Sequence, residues 1–380
     1  MPSSPLKFEQ VAMLDLQRQY QRIREDILSA VERVCSSQHF ILGPEVEELE
    51  REVAAFTGAA DAVGCASGTD ALWLMLAACG VKPGDSVITT PFSFLASASA
   101  IVRAGATPIF ADIDPATFNI NPQQVSSRLK EAKARALLPV HLYGQCADID
   151  RLQPIADEFN AVLVEDAAQA IGAAWGGRKA GTLGLAAAFS FYPTKNLSAY
   201  GEAGLVTTLD PARADHMRRL RSHGSSRRYV HEELGWNARM DAIQGAILRV
   251  KLAHIEEWNQ QRRELAAGYD RLFGDAGLDG TALTIPFRDP KAHHVFHQYV
   301  IRARRRDELR EFLTARKIGS EVYYPLPLHL QPCFGYLGYK KGDFPESEKA
   351  AAEVLALPMF PELGEDEQDW VVQSISDFYC

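Results

Sequence analysis

The chain has 380 residues, 47% hydrophobic and 23% charged, with 27 Gly and 20 Pro, which suits two or three packed domains and excludes disorder, collagen and small disulfide scaffolds. A formal net charge of -9 speaks against a dedicated nucleic-acid binder, whose affinity rests on surplus Lys and Arg. The six cysteines (Cys35, Cys65, Cys79, Cys146, Cys333 and Cys380) contain no C-x-x-C pair. They are expected to be reduced, mostly structural thiols of a cytoplasmic protein, with no zinc site and no redox dithiol. The start, MPSSPLKFEQ, lacks a charged-then-apolar signal pattern, and the apolar run 71–79 is short of the roughly 20 residues that span a bilayer. Neither secretion nor membrane insertion is expected.

Leu16, Tyr20, Ile23, Ile27, Val31 and Val34 recur at spacings of three and four, which predicts an amphipathic helix over 16–35. Beyond the Gly43-Pro44 break, Val46, Leu49, Val53 and Phe56 predict a second. From Ala62 short apolar runs alternate with helical ones: AVGC then TDALWLMLAA, SVITT then FLASASAIVRAG, TPIFAD then a polar helix, ALLPVHLYG then IDRLQPIADEFN, and AVLVEDAAQ. That alternation predicts an α/β fold with a mostly parallel sheet covered on both faces. AAAFSFY (186–192) and GLVTTL (204–209) are expected as an antiparallel or adjacent pair at the end of the sheet, with Lys195 between them. A long helix is expected over 240–273, followed by a smaller α+β unit with HVFHQYVIRA as a strand and RRDELREFLTARKI as a helix. A boundary near residue 245 divides the chain into a large domain, 1–245, and a small C-terminal one, 246–380. No Pro-, Gly- or Ser-rich linker marks it, so the two are expected to pack closely.

Three constellations carry chemistry. In SGTDAL (67–72), Gly68 lets the backbone approach a ligand, and the N–H groups of Thr69 and Asp70 at a helix start are phosphate donors. The same residues also make an ordinary helix cap. G-x-G-x-x-G and G-x-x-x-x-G-K-[ST] are missing from the strand-to-helix turns, which argues against dinucleotide and P-loop sites. VLVEDAAQ (162–169) ends a buried strand on an acidic pair, and the ligand crevice of an open α/β sheet lies at the carboxyl ends of its strands. Asp166 is therefore placed to hold a cationic ring nitrogen, or else to cap a helix. FSFYPTKNL (189–197) sets Lys195 behind a Pro turn with Ser190 five residues earlier. A lysine partly removed from water there has a lowered pKa, as Schiff-base formation requires. Alone it would read as a solvated turn lysine. The phosphate turn, the strand-end carboxylate and the lysine in this order are what a pyridoxal phosphate (PLP) site needs.

These residues sit in longer stretches: FILGPEVEELE, SGTDAL, GATPIFADIDPATFNINP, PVHLYGQCADID, VEDAAQAIGA, SFYPTKNLSAYGEAGLVTT, GWNARMDAIQGAIL and YYPLPLHLQPCF. Through them, from LDLQRQY to ALPMFPEL, the sequence resembles the DegT/StrS-type nucleotide-sugar aminotransferases, PLP-dependent enzymes of the aspartate-aminotransferase fold (fold type I). The resemblance implies a large, mostly parallel-sheet α/β/α domain that binds PLP and a smaller C-terminal α+β domain. It implies that Lys195 carries the cofactor, that Asp166 partners the pyridine nitrogen, and that Gln169 lies near the ring hydroxyl. Ser190, Gly68 and Thr69 would hold the phosphate, joined by Asn237 from the neighbouring subunit, and Phe94 would stack on the ring. Arg227, Arg228 and Arg239 supply forks suited to a diphosphate or carboxylate, and the resemblance puts Arg239 in an active site shared across a homodimer. Tyr324 and His329 resemble the segment that closes over the sugar nucleotide.

The implied reaction moves an amino group from an amino acid, expected to be glutamate, to a nucleotide-linked ketosugar carried by UDP or dTDP. The segments YGQCADID and SHGSSRRY look more like those of 3-amino enzymes, which favours C-3 over C-4 amination. Related dehydratases replace the lysine with histidine, so Lys195 disfavours that branch. Two rivals remain: a non-catalytic regulatory protein on the PLP fold, and a nicotinamide-dependent sugar oxidoreductase. No nucleic-acid or membrane partner is expected. His141 is expected as a strand-end histidine satisfied by the backbone. His293, His294 and His297 have no H-E-x-x-H pattern or partner acid, so they are expected to line a strand surface and no metal is assigned.

Overall fold

The computed structural model describes residues 8–379; Cys380 and most of the leading segment read for a signal pattern lie outside the described residues. Helix α1 (Leu16–Ser37) opens where the Asp15 carboxylate accepts the N–H groups of Gln17 and Arg18, and it buries Ile23, Ile27 and Val34. Pro44 opens α2 (Pro44–Thr57). The expected alternation follows: β1 (Asp61–Cys65), α3 (Gly68–Ala78), β2 (Ser86–Thr89), α4 (Ala96–Arg103), β3 (Thr107–Phe110), α5 (Pro122–Glu131), β4 (Ala136–Leu137), α6 (Ile149–Glu158), β5 (Val162–Leu163) and β6 (Glu165–Asp166). A small hairpin of β7 (Ala174–Trp175) and β8 (Arg178–Lys179) precedes β9 (Ala186–Ser190) and β10 (Gly204–Thr208).

Strands β3, β2, β4 and β5 pair in parallel. After Val164 the same chain continues as β6, which meets Val140 through a bridge at Asp166 and pairs in parallel with β9. β10 runs antiparallel to both β9 and β1. The 186–192 and 204–209 runs thus form an antiparallel pair, but they do not end the sheet, because β1 lies outside them. Gly204 makes this possible: a Cβ there would stand 2.2 Å from the carbonyl oxygen of Ser67, so a side chain would bar β10 from the end of β1.

After α7 (Pro211–Leu220), a hairpin of β11 (Ser225–Arg227) and β12 (Val230–His231) projects outward. The single helix expected over 240–273 is two, α8 (Ala242–Leu252) and α9 (Ile255–Asp275), broken at Ala253-His254. The break lets α8 pack on α1 and α2 while α9 packs on the C-terminal helix. The remainder comprises β13 (Leu283–Thr284), β14 (Ala292–His293), β15 (Tyr299–Ala303), α10 (Arg306–Ala315), α11 (Pro345–Glu353), β16 (Val354–Leu357) and α12 (Glu365–Tyr379). β13, β15 and β16 form an antiparallel sheet, whereas β14 joins β7. The expected HVFHQYVIRA strand begins only at Tyr299, because Phe296 has a φ of 43°, left-handed backbone that interrupts an extended run. His293 accordingly sits in β14, His294 stacks on Phe296 at 3.8 Å, and His297 turns into the cavity described below, so the three share no strand surface.

Residue 245 lies inside α8. Two apolar cores are joined by α9, which gives Ile255 and Trp258 to the one around Leu163 and Phe189, and Tyr269 and Phe273 to the one around Tyr299 and Leu355. No helix among the described residues is long and apolar enough to cross a membrane. Among the same residues no group of three or more His, Cys, Asp or Glu is arranged to hold a metal ion. Cys65, Cys79 and Cys146 are buried free thiols, and Cys333 is an exposed one.

Candidate active site

The carboxyl ends of β1, β6 and β9 surround a cavity of about 760 Å³. Its first wall is the turn from β1 into α3. Ser67 caps the helix by accepting the Asp70 N–H at 3.1 Å, which removes that N–H from the expected phosphate donors and leaves those of Gly68 and Thr69. Asp70 itself turns away to Arg103, at 2.5 Å. Gly68 lies against Ser190: a Cβ on it would stand 2.5 Å from Ser190 Cβ and 2.8 Å from its Oγ. The helix start and the Ser190 hydroxyl therefore close into one anion-sized cradle, aided by the α3 dipole.

Asp166 is buried opposite. Its Oδ2 accepts the Ser97 hydroxyl at 2.7 Å, and its Oδ1 accepts the Ala168 N–H at 3.2 Å. Burial raises its pKa, against the pull of these hydrogen bonds and of Lys195 and His141. Beside it, the Lys195 amine is pushed down to about 8 by burial, which outweighs the attraction of Asp166. Ser97 escaped the sequence reading, although FSFLASASA places Ser93 and Ser97 one helical turn apart, and the two hydroxyls lie 2.7 Å from each other.

The opposite wall is aromatic. Phe94 is 59% exposed, a large apolar ring open to the cavity, and lies 6.2 Å from the Tyr324 ring. Gln169 accepts the Tyr143 N–H at 2.7 Å and donates its Nε2 to the Tyr324 hydroxyl at 3.1 Å. Gly68, Thr69, Phe94, Asp166, Gln169, Ser190, Lys195 and Tyr324 thus all line one cavity. His329 does not join them. It is buried, its Nε2 is 3.0 Å from Glu348 and its ring packs on Phe344. These contacts tie it to the 342–348 segment, where Glu348 also accepts the Gly342 N–H. Nor do Asn237 and Arg239 line their own chain's cavity; Asn237 is exposed and accepts Arg239 Nε at 3.0 Å. Arg227 and Arg228 lie on the exposed hairpin, with Arg228 stacked on Tyr229. His141 is structural: it meets Glu165 at 3.0 Å and accepts the Ala147 N–H. The sequence reading also missed His297, Gln298 and Tyr323, which line the same cavity.

These residues fit a phosphorylated aromatic aldehyde with a basic ring nitrogen. The cradle that a Gly68 Cβ would fill takes the phosphate, and the buried Asp166 carboxylate, in no ion pair among the described residues, calls for a cation at the far end. Phe94 offers a stacking face between them.

The chain is similar to known proteins over nearly its whole length. The DegT/DnrJ/EryC1/StrS aminotransferase family matches residues 21–376. The chain is 51% identical over 369 residues to a pleiotropic regulatory protein of Geobacillus stearothermophilus, covering 97% of this chain and 98% of that one. It is 42% identical over 376 residues to the dTDP-3-amino-3,4,6-trideoxy-alpha-D-glucose transaminase of Streptomyces venezuelae, covering 99% and 98%. The crystal structure of S. venezuelae DesV in complex with a ketimine intermediate superposes with a TM-score of 0.94 at 40% identity, covering 98% of this chain and 99% of that one.

Proposed function

From the premise that the chain belongs to the DegT/DnrJ/EryC1/StrS aminotransferase family and is a PLP-dependent sugar transaminase of fold type I, we propose that it aminates C-3 of a UDP- or dTDP-linked ketosugar with glutamate as donor. The observation that carries this reading is Lys195, an amine with a pKa of about 8 beside the buried Asp166, on a cavity that also holds the phosphate cradle. The S. venezuelae relative, named for a 3-amino sugar nucleotide, supports C-3 over C-4.

When bound, PLP supplies a carbonyl carbon that takes up an amino group and a ring that withdraws electrons. The chain does the rest. Gly68 and Thr69 N–H groups and the Ser190 hydroxyl bind the phosphate. Asp166, oriented by Ser97, holds the proton on the pyridine nitrogen, as its burial demands a positive partner. The Lys195 amine would carry the cofactor and, when free, would move a proton off the substrate carbon. A pKa near the working pH lets one group act first as base and then as acid. The second half-reaction runs the same steps backwards on the sugar ketone.

The enzyme is read as a cytoplasmic homodimer in which Asn237 and Arg239 serve the neighbour's site. Their absence from the lining of their own chain's cavity supports this, as does the exposure of Tyr229, Leu234 and Trp236 along the 229–236 stretch. A panel of UDP- and dTDP-linked 3- and 4-ketosugars with glutamate, read by product mass, tests the substrate. A 4-keto preference would overturn the C-3 assignment. The name of the Geobacillus relative favours one second reading, a regulator. That reading would be correct if holoenzyme with Lys195 in place aminated no ketosugar.

A further inference from the structure

His297 is buried, lines the cavity together with Lys195, and has no part in the steps above. Its Nδ1 lies 3.1 Å from Asn196 Oδ1, and a chain of amides behind it decides which atom donates. Asn196 Nδ2 meets Asn259 Oδ1 at 2.8 Å and the Val295 carbonyl at 3.1 Å. Asn259 Nδ2 in turn donates to the Ile171 carbonyl at 3.0 Å. A peptide carbonyl can only accept, so Val295 and Ile171 fix both amides against a flip. Asn196 therefore presents its oxygen to His297, and the imidazole proton sits on Nδ1. Burial, reinforced by the Lys195 and Arg262 cations, holds the ring's pKa well below its ordinary value and keeps it neutral. Nε2 is then a bare acceptor. None of the hydrogen bonds among the described residues reaches it, so it is open to what enters the cavity.

Across the same cavity the donor side is fixed in the same way. The Tyr143 N–H orients Gln169, whose Nε2 then donates to the Tyr324 oxygen, which leaves the phenol proton free to be given away. His297 Nε2 is thus a fixed acceptor and the Tyr324 hydroxyl a free donor on the one cavity. A ketosugar ring carries the matching pair, a hydroxyl and a carbonyl. Glutamate carries no hydroxyl, its carboxylates only accept, and its ammonium is consumed in the reaction.

We propose that His297 Nε2 is a specificity-determining acceptor that takes a hydrogen bond from a ring hydroxyl of the ketosugar and takes no part in the amino-acid half-reaction. This rests on the reading of the enzyme as a sugar transaminase. Holoenzyme with 15N-labelled histidine shows Nδ1 protonated and Nε2 bare between pH 6 and 8. The Nε2 resonance moves on adding the nucleotide-linked aminosugar product and stays in place with 2-oxoglutarate. His297→Phe lowers kcat/KM for the ketosugar half-reaction about tenfold, the value of one hydrogen bond with its partner left unsatisfied, and weakens product binding to match. Its half-reaction with glutamate stays within about twofold, and His297→Gln, which restores an acceptor, recovers part of the loss. A proton found on Nε2, or equal losses in the two half-reactions of a folded His297→Phe enzyme, overturns the proposal while leaving the sugar transaminase reading intact. A wild-type enzyme that aminates no ketosugar removes both.

Discussion

Gly68→Ala is the sharpest single perturbation of the cofactor cradle. The added Cβ would stand 2.5 Å from Ser190 Cβ, 2.8 Å from Ser190 Oγ and 3.1 Å from Ser190 Cα. These are stem and backbone atoms of β9, which pairs with β10 and β6 and cannot swing aside. The α3 start and Ser190 must therefore separate by several tenths of an ångström, and overpacking of this kind costs roughly 1–3 kcal/mol. Because the strain falls between the two halves of the phosphate site, it is expected to appear as PLP affinity about 5- to 150-fold weaker. Spectroscopic titration of apo-protein with PLP, and in parallel with unphosphorylated pyridoxal, measures it. PLP binding should fall much more than pyridoxal binding. Adding Ser190→Gly should relieve the two shortest contacts and recover folding stability, but not phosphate affinity, since the hydroxyl is lost with the strain. A Gly68→Ala protein that bound PLP as tightly as wild type, or lost PLP and pyridoxal alike, would refute the cradle.

Three further outcomes follow from the site. Lys195 titrates near 8 in the folded chain and near 10.4 when unfolded. Between these values the unfolded state holds the extra proton, so apo-protein stability rises with pH there, while below 8 the penalty is fully present. Melting curves of wild-type and Lys195→Met apo-protein should therefore converge from pH 8 toward pH 10, and parallel curves would count against the lowered pKa. Asp166→Asn should retain PLP yet turn over roughly 10- to 100-fold more slowly, the value of a hydrogen bond to a charged group; unchanged steady-state rates would point to another acid. Lys195→Ala and Asn237→Ala/Arg239→Ala homodimers should each be strongly impaired, while mixed dimers purified on two tags recover up to about half of wild-type activity, because symmetry puts both lesions in one site. No recovery would mean that these residues act within one chain.

What the sequence disclosed and what it hid divide along a physical line. Asp166 and Lys195 sit at the carboxyl ends of β6 and β9, where local alternation of strand and helix already points a side chain at the crevice. Their place along the chain, with the phosphate turn before them, is what makes them legible in the sequence. The sequence puts His297 on a strand surface, because HVFHQYVIRA reads as a strand and the histidine has no H-E-x-x-H pattern or partner acid. The left-handed φ at Phe296 and the amides of Asn196 and Asn259, far off in sequence, turn it inward instead. The partners of His329 were hidden likewise: Glu348 and Phe344, contributed by a later stretch, meet the imidazole, which does not line the cavity. The place of β1 at the sheet edge was hidden for a similar reason. It depends on one close approach, between Gly204 and Ser67, that no local pattern records.

That long-range pairing sets the order of events on the ribosome. Asp61 waits for Thr208, and Cys65 for Gly204, so at about 5–20 residues per second the first strand emerges on the order of ten seconds before its partner. During that interval Val63 and the Leu72–Leu76 face of α3, all buried in the finished fold, lack their cover, and non-local pairing of this kind is slow to form. Vitamin B6 cannot assist the early chain, because its phosphate turn, its carboxylate and its lysine come together only once β9 and β10 are laid down. A nascent chain stalled before residue 204 thus lacks the strand that covers β1, and cofactor capture is a test that only a chain past β10 can pass.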